Sequence, residues 1–180
     1  LEITALEISG LHLIRPERLT DERGYFVRTF SRDAFEAAGL EDCSLQCSIS
    51  NNIRRGTLRG MHMQASPHEE AKLVRCARGS IWDAVVDLRP GSSTFGRWYG
   101  VELSQANGLS LYIPRGLAHG FITLTDDTDV YYQMSVPFVS GAGIGLRWND
   151  PDIGITWPLE PVVMNARDRD LPLLKDMQQP

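Results

Sequence analysis

Two short segments concentrate the side chains able to move protons or hold a metal. One runs Gly56-Thr57-Leu58-Arg59-Gly60-Met61-His62-Met63-Gln64, the other Tyr112-Ile113-Pro114-Arg115-Gly116-Leu117-Ala118-His119-Gly120-Phe121. Each delivers one histidine after a fixed glycine spacing. Free imidazole titrates close to neutral pH, so either ring suits a base, an acid or a metal ligand. Strand parity groups further polar residues with them: Lys72 shares a face with Val74 and Cys76, Asp83 with Val85 and Asp87, His119 with Phe121, and Tyr132 with Val130 and Met134. For one such group a satisfied core hydrogen bond is the commoner explanation. Five facing one lumen read as a functional site, because burial is costly unless each group pairs or meets a ligand. His62 shares its face with Leu58, Gly60 and Gln64, whereas Arg59 points the other way. Both serve one pocket only if the strand twists or bulges near Gly60, where glycine permits it.

The elements that must hold these side chains are strands. Period-two patterning marks 11–14, 25–30, 57–64, 71–76, 81–88, 100–103, 109–113, 120–124 and 130–136, separated by Gly, Pro, Asp and Ser clusters. One helix is predicted over 32–38, with Ser31 as N-cap and Gly39 as its stop, and a second short one near 171–176. The fold class is all-β: many short strands closed into a barrel or two-sheet jelly roll, with one or two short helices and an open mouth for a ligand. At 180 residues, 42% of them hydrophobic, the chain supports a single domain over 1–180.

Composition narrows the partners. A formal charge of −5 argues against a nucleic-acid binder. Within that acidic chain, Arg54, Arg55, Arg59, Lys72, Arg75 and Arg78 face only Glu69 and Glu70, a local positive field suited to a small anion such as a phosphate ester. Arg54, Arg55 and Arg78 individually read as solvated edge charges. Apolar runs fall far short of the roughly 20 residues that cross a bilayer, and Leu1-Glu2-Ile3 opens without a secretory pattern. Cys43, Cys47 and Cys76 are odd in number and form no C-x-x-C pair, which points to reduced thiols in a cytoplasmic protein.

The glycine and histidine spacing resembles the cupin pattern. Gly56 and His62 fit its first motif, with Gln64 where a second histidine is usual; Gly108, Pro114, Gly116 and His119 fit the second in full. A cupin-type double-stranded β-barrel is thereby implied. With only His62 and His119 as nitrogen ligands, a metal centre is short of donors, and a cofactor-free use of His62 is more economical.

A more specific resemblance follows from G-T-L-R-G-M-H-M-Q, K-L-V-R-C-A-R-G-S-I-W-D-A-V-V-D-L-R, Y-I-P-R-G-L-A-H-G-F and R-W-N-D-P-D-I-G-I-T-W-P. Over residues 10–158 the chain resembles the dTDP-4-dehydrorhamnose 3,5-epimerase family. The resemblance implies a homodimeric isomerase of dTDP-rhamnose or related polysaccharide biosynthesis that inverts carbons beside the 4-keto group of a nucleotide-linked 6-deoxyhexose. It implies His62 as base, Tyr132 as proton donor, Lys72 as enolate partner, His119 and Asp83 as organisers, and Asp168 as the acidic neighbour of His62, with Asp170 as the alternative. Arg23, Phe26, Arg59, Gln64 and Arg167 are the corresponding substrate contacts. Three positions depart from the family pattern: Arg28 and Gly143 replace glutamates and Phe138 replaces a tyrosine. The alternatives are a metal-dependent cupin enzyme and a non-catalytic sugar-nucleotide binding module.

Overall fold

The computed structural model describes residues 1–177. In chain order the elements are β1 (Glu2–Ala5), β2 (His12–Arg15), β3 (Arg18–Asp21), β4 (Gly24–Val27), α1 (Arg32–Ala37), β5 (Gln46–Asn52), β6 (Leu58–Gln64), β7 (Lys72–Arg78), β8 (Ser80–Asp87), β9 (Trp98–Ser104), β10 (Ser110–Ile113), β11 (Leu117–Thr123), β12 (Thr128–Met134), β13 (Gly143–Gly145) and α2 (Ala166–Arg169). Two antiparallel sheets carry the domain, ordered β1-β2-β10-β7-β12-β5 and β13-β6-β11-β8-β9, while β3 and β4 form a separate hairpin. This is the cupin-type, all-β architecture.

Between the sheets, side chains divide the interior into a packed end and a polar end. Val74, Cys76, Leu111, Ile113 and Val130 of the first sheet meet Ile81, Val85, Leu103, Leu117 and Phe121 of the second. Each large member of this layer contributes about 1.5–3 kcal/mol through its burial. Two or four residues further along the same strands, Lys72, Tyr132 and Met134 line a cavity instead. The packed end therefore stabilises strands whose other end carries polar groups.

Each sheet also has a covered outer face. Phe35 of α1, with Leu40 and Cys43, packs on Ile14, Leu73 and Tyr112 of the first. The C-terminal segment places Leu146, Ile153 and the partly buried Trp157 and Leu174 over Met61, Ala84, Val86 and Ala118 of the second. Because both of its faces are covered, β11 is buried along its whole length. Among the described residues no helix is long and apolar enough to cross a membrane.

The elements differ from expectation at recognisable places. The helix over 32–38 forms as α1 with Ser31 at its N-cap, but the Ser31 hydroxyl makes no capping bond. The segment 171–176 makes only one 3₁₀ turn, Leu174–Asp176. Pro172 disfavours helical geometry at Leu171, and the Asp150 carboxylate accepts from the Leu174 N–H at 2.6 Å, so the turn starts there. Strands β1, β3, β5 and β13 were not marked by the patterning.

Candidate active site

The site is organised by an irregularity in the pairing of β6 with β11. His62 pairs with His119 and Arg59 with Phe121, so β6 spends two intervening residues where β11 spends one. This bulge resets side-chain parity, and Arg59 and His62 both line the cavity. Gly60 and Gly120 make the crossing possible. A β-carbon on Gly60, whose φ is +129°, would lie 2.5 Å from Gly120 Cα.

His62 meets a carboxylate that is 106 residues away in sequence. The returning chain is stitched to the start of β6 by Val162 N–H donating to Gly56 O (2.8 Å) and Leu58 N–H donating to Val163 O (2.9 Å). Asn165 then caps α2 by accepting from the Asp168 N–H at 2.7 Å, which fixes Asp168 in the first turn. Asp168 Oδ2 accepts from the Gly60 N–H at 3.0 Å, and Oδ1 lies 2.8 Å from His62 Nε2. Burial alone would push this carboxyl up, but the hydrogen bonds from His62 and Gly60 outweigh it and hold it below the ordinary carboxylate range. An ionised carboxylate only accepts, so Nε2–H donates and the lone pair of His62 sits on Nδ1. The ring is part-exposed and lines the cavity. Among the described residues the Asp170 carboxylate makes no comparable contact.

Beside it, His119 has its own carboxylate. His119 Nε2 lies 2.8 Å from Asp83 Oδ2, and Asp83 is fully buried behind it. The other oxygen, Oδ1, has no partner among the described residues. Burial pushes the Asp83 carboxyl up, against the pull of His119. The His119 ring stands edge-on to Tyr132, with centroids 6.2 Å apart and planes at 78°. Tyr132 lies on β12 in the opposite sheet, and burial, with the Asp83 charge adding to it, pushes its phenol well above the ordinary range. It therefore stays protonated at neutral pH.

The cavity measures about 330 Å³ and is lined by His62, Arg59, Lys72, His119, Tyr132 and Asp168 together with Gln46, Ser48 and Ser50 of β5, Phe121, Met134, Phe138 and Asn165. This falls within the roughly 300–1,000 Å³ of small-molecule sites. Arg59 is held by Asn52 Oδ1 (2.8 Å) and Asn51 O (3.3 Å). Lys72 Nζ is paired with Glu70 Oε1. Among the described residues no three His, Cys, Asp or Glu side chains come together as a metal site.

Other predicted contacts lie elsewhere. Gln64 does not line the cavity: its amide donates to His68 O (3.0 Å) and accepts from the Val139 N–H (2.7 Å), tying two loops together. Arg23 is turned onto Asp21 at 2.5 Å, and Phe26 is 66% exposed on β4. Phe26 and Arg28 line a separate cleft with Glu17 and Ser31. Arg167 donates to Gly143 O at 3.3 Å beside the cavity residues Asn165 and Asp168. The expected solvation of Arg54, Arg55 and Arg78 is observed.

The wall built by β5 is not among the strands that the patterning marks. Its signal was inverted: the inward residues Gln46, Ser48 and Ser50 are polar because they face the cavity, and Ile49 is 66% exposed on the outside. Glu70 enters the sequence reading only as one of two acidic residues set against the local positive field. Its position two residues before Lys72 was the available signal, since residues two apart share one face of an extended segment.

Comparison with known proteins identifies the family. The family model described as dTDP-4-dehydrorhamnose 3,5-epimerase matches residues 5–176. Relatives of that name from Sinorhizobium fredii and Methanothermobacter thermautotrophicus are 41% and 43% identical, over 96% and 94% of this chain and 89% and 92% of theirs. A crystal structure of the Legionella pneumophila dTDP-6-deoxy-D-glucose-3,5-epimerase with dTDP-4-keto-L-rhamnose superposes with a TM-score of 0.93 at 35% identity, covering 98% of this chain and 94% of that one. A 3'-monoepimerase from Streptomyces bikiniensis in complex with dTDP-quinovose gives 0.89 at 34% identity, covering 96% and 87%. The chain belongs to the dTDP-4-dehydrorhamnose 3,5-epimerase family.

Proposed function

We propose that the protein epimerises a dTDP-linked 4-keto-6-deoxyhexose at C3, C5 or both. A C–H bond beside a ketone yields its proton only when the enolate is stabilised, so inversion needs a base on one face, a donor on the other and a partner for the oxygen. His62 Nδ1 takes the proton, and the C–H electron pair moves to the carbonyl oxygen as the enolate forms. Lys72 and His119 meet that oxygen. The electron pair then returns to carbon as the Tyr132 phenol delivers a proton from the opposite face. Proton exchange with solvent restores both side chains, and no net oxidation occurs. The observation that carries this reading is the placement of His62 on β6 and Tyr132 on β12, in facing sheets across one cavity.

Asp168 orients the base and Asp83 organises His119. Arg59 and Arg167 supply cations for the diphosphate, each contact contributing about 1.5–3 kcal/mol as a charge-assisted hydrogen bond. Arg23 and Phe26 do not line the cavity of their own chain, and a part in binding fits the site of a second copy. A homodimer has support in the exposed Leu19, Tyr25 and Phe26 of the hairpin and Ile49 on edge strand β5. The free thiols of Cys43, Cys47 and Cys76 suit a reducing, cytoplasmic setting.

Incubation with dTDP-4-keto-6-deoxyglucose in deuterated water tests the reading by NMR. Label is expected at C3, C5 or both, and should vanish in His62→Ala. A folded wild-type protein that binds the nucleotide sugar without exchanging either proton would be a binding module instead.

A further inference from the structure

Three nitrogens on the cavity wall are each backed by a carboxylate that lies behind them: His62 by Asp168, His119 by Asp83 and Lys72 by Glu70. The third is built as firmly as the other two. The Glu70 and Lys72 side chains are 5% and 12% exposed, and Glu70 Oε2 is buried with no partner among the described residues. Glu70 is not among the cavity-lining residues, whereas Lys72 is. Between them Ala71 is clamped to the end of β12: its N–H donates to Ser135 Oγ at 2.9 Å and its carbonyl accepts from the Ser135 N–H at 3.0 Å. The loop leading into Glu70 is held by the Gln64 amide on His68 O. A buried carboxylate with one orphan oxygen is expensive to keep. Such a group is retained at a site when its charge serves the neighbour it touches.

We infer that Glu70 is the positioning residue for Lys72: its carboxylate takes one ammonium N–H and thereby directs the remaining donors at the oxygen of the substrate's developing enolate. This rests on the epimerase reading of the site. Without Glu70, the ammonium would lose the partner that fixes its rotamer and balances its charge in a part-buried wall. Substrate binding is set mainly by the nucleotide, so the loss falls on turnover. Gln64 gains a part in the same device, as the residue that pins the loop in front of Glu70.

The test is a kinetic double-mutant cycle with dTDP-4-keto-6-deoxyglucose, using Glu70→Gln, Lys72→Met and the double variant. Glutamine keeps an acceptor for Lys72 and replaces the orphan oxygen with an amide, so it removes charge with little change of shape. Removing an oxyanion donor costs about 10²–10³-fold in kcat, so Lys72→Met should fall in that range. Glu70→Gln should lower kcat by about tenfold, with KM within about twofold. In the double variant, Glu70→Gln should add nothing to the Lys72→Met loss. Glu70→Asp, which keeps the charge on a shorter stem, should recover part of the activity, and Glu70→Met replaces the glutamine variant in the cycle if that one fails to fold. Equal effects of Glu70→Gln in both backgrounds, or unchanged kcat with only a lowered melting temperature, would overturn the inference. Failure of the epimerase reading looks different, because the wild-type protein itself would then exchange no substrate protons.

Discussion

Gly60 and Gly120 touch backbone to backbone where β6 crosses β11, with a β-carbon on Gly60 placed 2.5 Å from Gly120 Cα and 2.9 Å from His119 O. Neither obstacle is a side chain that could swing away. The contact sits inside the bulge that turns both Arg59 and His62 toward the cavity.

Gly60→Ala should therefore be destabilising and inactive together. Overpacking costs about 1–3 kcal/mol, and the positive φ adds about 1–2 kcal/mol for a residue with a β-carbon. Urea denaturation should show a loss of about 2–5 kcal/mol. A variant with wild-type stability and turnover would show that the bulge forms without the close approach.

Asp168→Asn tests how His62, the proposed base, is held. Gly60 N–H and His62 Nε2–H each need an acceptor, and an amide offers only one oxygen. One buried donor is left unpaired, at about 1–3 kcal/mol, and kcat should fall about 10²–10⁴-fold as the ring loses its orientation. The pH dependence carries a sign. The folded carboxyl lies below its ordinary value of 3.8, so its stabilisation is complete above that value and is lost as pH falls through the lowered one. Acid titration of stability should thus be shallower in Asp168→Asn than in wild type from about pH 4 downward. Parallel curves would remove Asp168 as a source of acid sensitivity.

Asp83 has the opposite sign. Burial raises its carboxyl, so the penalty of its charge is present at neutral pH and relieved as pH falls through the raised value. Asp83→Asn keeps an acceptor for His119 and removes the buried charge. It should gain about 1 kcal/mol at neutral pH, an advantage that shrinks on acidification, while turnover drops because His119 loses its charged partner. Lower stability at every pH would mean that the Asp83–His119 pair is net stabilising.

Tyr132→Phe separates the two halves of the reaction. In the proposed reaction, proton removal uses His62 on β6 and return on the other face uses the phenol of Tyr132 on β12. Net inversion, followed by NMR of the product, should slow more than deuterium incorporation into the substrate carbon. Equal losses would point to another donor.

The legible part of the molecule was the part where pattern and packing agree. Strands β6, β7, β8, β11 and β12 alternate or run apolar because they face the inter-sheet layer, and the bulge was foreseeable because Arg59 and His62 stood on opposite parities around Gly60. Strand β5 was hidden because its inner face is cavity and its outer face exposes Ile49, which inverts the usual polarity. Asp168 was reachable only through family resemblance, since nothing local joins positions 62 and 168 until the 162–163 segment is stitched onto β6. Gln64, a substrate contact by family resemblance, carries no local sign of where its amide goes, and that amide ties the loops at His68 and Val139.

Gly143→Glu tests whether the mouth of the site has been retuned. A β-carbon at 143 would lie 2.6 Å from Arg167 Nη2, so the guanidinium now fills the space into which the family's glutamate would project. Arg167 spends one weak bond on Gly143 O, which leaves most of its donors free beside Asn165 and Asp168. A glutamate there would displace the guanidinium and pair with it. The pair itself is worth little at an exposed position, about 0–1 kcal/mol, whereas a charge-assisted bond from Arg167 to a phosphate is worth about 1.5–3 kcal/mol. The substitution should therefore raise KM about tenfold and leave kcat within about twofold, since each 1.4 kcal/mol corresponds to tenfold in binding. Arg167→Ala should have a similar effect, and the double variant should be no worse than either. Gly143→Ala separates charge from bulk: it crowds the same flexible side chain without a carboxylate. A KM rise as large as that of the glutamate variant would assign the role to shape alone.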